Sequence, residues 1–240
     1  MMSNVDWTVI DKYEIVTGFG YAIPKDEKSG ITVGLGFDLG QHSIRQIDKL
    51  PISEDLKEKL RPYTGLKGAA ARNTLYNVPT DGAFNPNKSI ASQIESPVKA
   101  VVSNSGSSAH VLKSSGSRKL ELAIPEIAQL NEAIQNIKLE SIVRKFDAAS
   151  VKSGGKPFAN IPASSQTSIV SFCWQYGENI GVIKDCNDRR RKYWSLVVIG
   201  DWSSTIELIF SSFMGPIEKS FSKRRIEEGH LLMWGDTRSN

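Results

Sequence analysis

Apolar residues recur at helical spacing over residues 5–17, where Val9, Tyr13 and Val16 form a stripe with Ile10 and Thr17 alongside. The spacing predicts a helix there, capped at its start by Ser3 or Asn4 and ended by Gly18 and Gly20. The period then changes. After a turn-like stretch from Pro24 to Gly30, residues 31–39 alternate strictly. Ile31, Val33, Leu35, Phe37 and Leu39 fall on one side of an extended chain, and Thr32, Gly34, Gly36 and Asp38 on the other. From Ser43 onward the pattern is helical again, with amphipathic stretches from Ser53 to near Gly65 and from Lys67 to Tyr76.

Residues 78–118 break every period with Pro79, Gly82, Pro86 and Pro97, followed by the serine-rich run Ser103–Ser117. They read as a long, partly mobile surface insertion. Helical periodicity resumes over 119–149, bent or started at Pro125, and a linker follows at Gly154–Pro157. Further helices are expected over 164–176, 188–199, 202–213 and 217–232. The sum is an α+β chain, read as a single domain over 1–240. Its N-terminal helix and β lobe occupy about 1–77, the insertion about 78–118 and a helical lobe about 119–240.

Composition narrows the partners. Apolar content of 40% and charged content of 23% are ordinary for a globular protein and argue against a disordered or fibrous chain. A net charge of +4 favours an anionic partner: nucleic acid, an anionic membrane face or an acidic wall polymer. The basic residues are scattered apart from Arg189–Lys192, and no aromatic-interleaved stripe accompanies them, which argues against nucleic acid. No apolar run reaches membrane-spanning length, so membrane insertion is not expected. Residues 1–7 lack the basic-then-apolar pattern of a secretory signal, so the expected route is cytoplasmic synthesis followed by export or release by other machinery. Cys173 sits in an apolar run and reads as a buried thiol; a disulfide to Cys186 stays open. The three histidines (His42, His110, His230) have no metal-ligand spacing, so a zinc site is not expected; no cofactor is expected either.

The chemistry-bearing residues cluster early. Glu14 lies at the edge of the first apolar stripe, where desolvation would lift its pKa toward that of a working general acid. In a straight strand Thr32 and Asp38 would stand roughly 20 Å apart. A turn at Gly34-Leu35-Gly36 instead makes them cross-strand neighbours, with side-chain roots about 5 Å apart. The two glycines leave room for a ligand to approach backbone. A hydroxyl and a carboxylate there can hold a water. Glycosidic hydrolysis needs such a set: an acid for the leaving oxygen and a second carboxylate across the bond. Asp26, six residues before Thr32, rivals Asp38 for the second role and ranks below it, because a turn aspartate in its setting is commonly just solvated.

These residues carry a resemblance. Glu14, Gly20-Tyr21, Pro24 and the run Ser29–Gln41 resemble the pesticin-type branch of the phage-lysozyme-like muramidases, bacterial toxin domains that cut peptidoglycan. Ile169–Glu178 resembles the core helix of phage-type lysozymes, and Ser222–Arg225 with Trp234 resembles the family's last basic helix and nearby tryptophan. The resemblance implies a lysozyme-like fold with a small β-hairpin-bearing lobe, a larger helical lobe and a cleft between them. It also implies Glu14 as general acid, Thr32 and Asp38 as its partners, and Gln175 and Tyr176 as saccharide contacts beside Gly34 and Gly36. The activity implied is hydrolysis of the β-1,4 bond between N-acetylmuramic acid and N-acetylglucosamine. The setting implied is an antibacterial effector acting in a rival's periplasm, delivered by a secretion machine such as the type VI apparatus and met there by a cleft-plugging immunity protein. A phage endolysin, a lytic transglycosylase and a basic wall-binding module are the competing readings.

Overall fold

The computed structural model describes residues 4–14, 16–23, 26–76, 120–180, 188–213 and 221–237. The expected insertion at 78–118, Cys186 and the turn residues Pro24 and Lys25 lie outside them. The described elements, in chain order, are α1 (Trp7–Asp11), β1 (Val16–Ala22), β2 (Ile31–Leu35), β3 (Phe37–Asp38), α2 (Ile44–Asp48), α3 (Glu54–Leu60) and α4 (Gly68–Tyr76). There follow α5 (Ile124–Ser153), α6 (Ala163–Tyr176), α7 (Asp188–Ile199), α8 (Trp202–Ser212) and α9 (Ser222–Thr237). Helices and one small antiparallel sheet in the order β1-β2-β3 make the chain α+β. It forms two compact units, Met1–Tyr13 with Asn136–Asn240, and Glu14–Gln135.

In the unit Glu14–Gln135 the alternation over 31–39 marks the buried side. Ile31, Val33 and Leu39 are completely buried, and Leu35 and Phe37 nearly so. The first helix is shorter than its periodicity suggests. It ends at Asp11, and Val16 and Thr17 begin β1, paired with Leu35 and Gly34 of β2. Both are β-branched and stiff at χ1, which suits a pleated strand better than a helix end. Gly18 and Gly20 therefore do not terminate a helix. They lie inside β1, where the segment 120–122 closes on its other edge: Gly20 N–H donates to the Leu120 carbonyl at 3.0 Å and Leu122 N–H to that of Gly18 at 2.7 Å. A Cβ at Gly18 would meet Leu122 O at 2.9 Å and Ile127 Cδ1 at 2.8 Å, so the approach needs glycine.

Ser53 caps α3, accepting from Leu56 N–H, as its place before an amphipathic run suggests. Helix α5 starts at Ile124 with Pro125 in its first turn, where the missing amide is no loss. Glu126 reaches back to accept from Ala123 N–H at 2.7 Å. Ile127, Leu130, Ala133 and Ile134 of α5 are buried in this unit.

The other unit is helical. Its centre is α6, whose residues Ser165–Trp174 are all buried, packed chiefly against α9 and α1. The polar residues early in α6 hold the N-terminal segment: Gln166 accepts from Asn4 N–H and Thr167 from Asp6 N–H, both at 2.9 Å. Phe172 stacks on Tyr193 at 3.7 Å between centroids, and Phe146 meets Phe158 and Trp194 edge-on. Such pairs each add about 0.5–1.5 kcal/mol beyond area burial. Cys173 is buried, and burial pushes its thiol well above the usual range. No helix among the described residues is long and apolar enough to cross a membrane.

Candidate active site

The turn expected at Gly34-Leu35-Gly36 is present. Gly34 and Gly36 have φ of +60° and +75°, the left-handed region that side chains disfavour. The bend brings Thr32 opposite Asp38 in the β2–β3 register and Val33 opposite Phe37. Leu35 N–H at the bend donates to Asn131 Oδ1 of α5 at 2.8 Å. This amide fills the space over Gly34, where a Cβ would stand 2.6 Å from Asn131 Oδ1. Nothing lies within 4 Å of a Cβ at Gly36, which is exposed. Of the two glycines, Gly36 is the one with open space beside it.

Asp38 is half-buried and accepts from several donors. Its Oδ1 takes Gly30 N–H at 3.0 Å and Gly40 N–H at 2.9 Å, and its Oδ2 takes Gly30 N–H at 3.2 Å, Gln41 Nε2 at 3.3 Å and Ser29 Oγ at 3.5 Å. Asp38 thereby caps the short helical turn Leu39–Gln41. The backbones of Gly30 and Gly40 are pressed together around this carboxylate, too close for a Cβ on either. That explains the paired glycines at either end of the hairpin.

Asp26 has a different occupation. Its Oδ1 accepts Lys28 N–H at 2.8 Å and Ser29 N–H at 3.1 Å, closing its own turn. Beside it Arg72 of α4 donates to the Asp26 carbonyl at 3.3 Å and pairs with Glu27 at 2.6 Å.

Glu14 is half-buried in the link between α1 and β1, not in a helical turn as the apolar stripe suggested. Its neighbourhood is defined by a residue the sequence did not single out for chemistry. Tyr21 of β1 is the register partner of Thr32, so Tyr21, Thr32 and Asp38 form one row across the three strands. Directly opposed residues point to the same face of a sheet. Burial raises the Tyr21 phenol above its ordinary pKa, and the negative charges of Glu14 and Asp38 push it further the same way; a hydrogen bond with the Thr32 side chain opposes them. Thr32 and Asp38 thus share a row with Tyr21, and the charge of Glu14 acts on the same phenol. A repeat of strand spacing alone would not have placed Tyr21, because β1 advances four residues between Thr17 and Tyr21 while β2 advances two.

Gln175 and Tyr176 lie at the end of α6, in the other unit. Gln175 accepts from Arg225 at 2.7 Å. Tyr176 packs on Phe172 and Phe213 and carries the Arg190 guanidinium 4.0 Å from its ring centroid. Gly177 follows with φ of +86°, ending the helix. Arg224 and Arg225 are buried and bind Glu228, and Ser171 donates to the same carboxylate at 2.5 Å. Their role in the fold is structural pairing. Trp234 on the same helix is 62% exposed. Among the described residues no three His, Cys, Asp or Glu side chains gather where a metal would sit.

Comparison with known proteins bears on the N-terminal half. Residues 4–114 match the Pesticin family, described as a bacterial toxin homologue of phage lysozyme, C-terminal part. The match spans the segment Glu14–Gln41 on which the sequence resemblance rests, and the α6 and α9 stretches lie beyond it. No curated protein matches the chain.

Proposed function

We propose, from the likeness of residues 4–114 to bacterial toxin homologues of phage lysozyme, that this protein is a muramidase. The bond cut is the β-1,4 link between N-acetylmuramic acid and N-acetylglucosamine, and the substrate is peptidoglycan. The observation that carries the reading is the Tyr21–Thr32–Asp38 row, whose phenol feels the charge of Glu14, beside the open turn at Gly36.

The roles follow from what each group is able to do. Glu14 is partly withdrawn from water and supplies the proton to the glycosidic oxygen. Asp38 is held by fixed backbone amides, so its negative charge has a set position and costs no reorganisation when positive charge develops at the anomeric carbon. Thr32 adds a hydroxyl beside it, able to hold the attacking water against Oδ2, whose other donors are the longer ones. Gly36 admits the sugar chain to the backbone of the turn. Asp26 accepts two amides of its own turn through Oδ1 and stands outside the Tyr21–Thr32–Asp38 row, so it ranks below Asp38 for the second carboxylate.

The net charge of +4 suits an acidic wall polymer. In the biological setting proposed, the protein is an antibacterial effector that works in a rival's periplasm. Delivery is by a secretion machine, and a protein inhibitor protects the producing cell. Digestion of purified peptidoglycan tests the chemistry. Hydrolysis leaves reducing muramic ends by mass spectrometry, whereas anhydro-muramic ends would replace the hydrolase with a lytic transglycosylase.

A further inference from the structure

The sheet register raises a question about Tyr21. A threonine hydroxyl rotates freely about its Cβ–Oγ bond, and holding a water for attack requires that rotor to be fixed. Thr32 is buried, 6% exposed, and its neighbours in the row are Tyr21 on β1 and Asp38 on β3. Asp38 is already engaged by the Gly30 and Gly40 amides and by the Gln41 side chain. On the other side of the row the phenol of Tyr21, the register partner of Thr32, is hydrogen-bonded to the Thr32 side chain.

We propose that Tyr21 is a positioning residue for the hydrolysis: its hydroxyl fixes the Thr32 hydroxyl within the Tyr21–Thr32–Asp38 row, so that the water held there faces the scissile bond. The proposal rests on the muramidase reading above. A phenol titrates ordinarily near 10 and is therefore protonated at neutral pH, and burial raises it further. Tyr21 is then a neutral hydrogen-bonding group, able to accept from Thr32 and to turn its own proton toward the acidic side chains. It forms no bond to substrate. Its effect passes through Thr32, and this sets the form of the test.

The experiment is a double-substitution cycle on soluble peptidoglycan fragments, reading kcat and KM separately for wild type, Tyr21→Phe, Thr32→Val, the double variant and Glu14→Gln. Far-UV circular dichroism confirms the fold of each. Tyr21→Phe keeps the ring and its packing, so a purely structural role would leave kcat unchanged. The expected result is a fall of about tenfold in kcat with KM unaltered, the scale of one lost hydrogen bond at a reacting group. In the Thr32→Val background the same change should have little further effect. A Tyr21→Phe enzyme with wild-type kcat, or a loss that persists in full without the Thr32 hydroxyl, overturns the proposal. Thr32→Ser supplies an independent arm, because it keeps the hydroxyl: kcat should stay sensitive to Tyr21→Phe in that background, and insensitivity there counts against Tyr21. Glu14→Gln separates the two levels. If that variant still lyses, the muramidase assignment of Glu14 fails; if it is inactive while Tyr21→Phe is fully active, only the role of Tyr21 fails.

Discussion

Two carboxylates, Asp38 in one compact unit and Glu228 in the other, are held in opposite ways. Asp38 is half-buried and served mainly by the backbone, through the amides of Gly30 and Gly40. Glu228 is completely buried and served by side chains: Arg225 at 2.6 Å, Arg224 at 3.4 Å and the Ser171 hydroxyl. Burial raises the pKa of Glu228, and Arg225, Ser171 and Arg224 work against that rise. Amide donors fix a carboxylate without cancelling its charge, whereas guanidiniums cancel it. The lesson is that the charge at Asp38 remains available to act on something else, while that at Glu228 is consumed in holding α6 to α9. A buried ion pair of this kind is costly to break from one side, even where its net contribution to stability is small.

That contrast can be broken by substitution. The largest effect is expected for Glu228→Ala, which strands two buried guanidiniums and should cost about 3–5 kcal/mol in a urea titration. A loss under about 1 kcal/mol would mean that the network relaxes into water. Next is Asp38→Asn, where stability should fall by about 1–2 kcal/mol as one charged acceptor is lost. Its lytic rate should fall by at least about 100-fold. A variant that loses stability but not activity would place Asp38 with Glu228 as a structural group. The turn sharpens the comparison further. Gly34→Ala must adopt a positive φ and displace the Asn131 amide, with an expected cost of about 1–3 kcal/mol; Gly36→Ala meets only the positive φ, at about 1 kcal/mol. Equal thermal shifts for the two would show that Asn131 does not pin the turn.

The smallest effect concerns Glu126, whose carboxyl is held below its usual range by Lys59 and by the Ala123 amide. A lowered folded pKa means that its stabilisation is complete above the unfolded value, near 4.5, and is lost as pH falls through the folded value. The pair is at the surface, so Glu126→Gln should remove only about 0.5 kcal/mol at neutral pH. The difference from wild type should shrink below pH 4, as denaturation midpoints across that range would show.

Much of the hairpin was legible in the sequence because its signals are local. Strict alternation over 31–39 names the buried side, and two glycines around Leu35 demand a turn, from which the pairing of Thr32 with Asp38 follows. The start of β1 was not legible. Val16 continues the helical stripe of Val9 and Tyr13, and what draws it into a strand is pairing with β2 and, farther along β1, with residues 120–122, about a hundred positions away. Tyr21 was visible only as part of the Gly20-Tyr21 motif, with no chemical role, because its place in the row depends on the irregular register after Thr17. The Glu228 network was half legible. The Arg224-Arg225 pair was visible as part of a basic helix, but its acid and the Ser171 hydroxyl meet only through the packing of α6 on α9.

The claim on which the functional account turns is that Glu14 is the proton donor. Its most direct test is the lysis rate of purified peptidoglycan by Glu14→Gln, measured beside a wild type of matching circular dichroism. The account expects the rate to drop by about 10³-fold with the fold intact. A folded Glu14→Gln protein that clears peptidoglycan at the wild-type rate would contradict it.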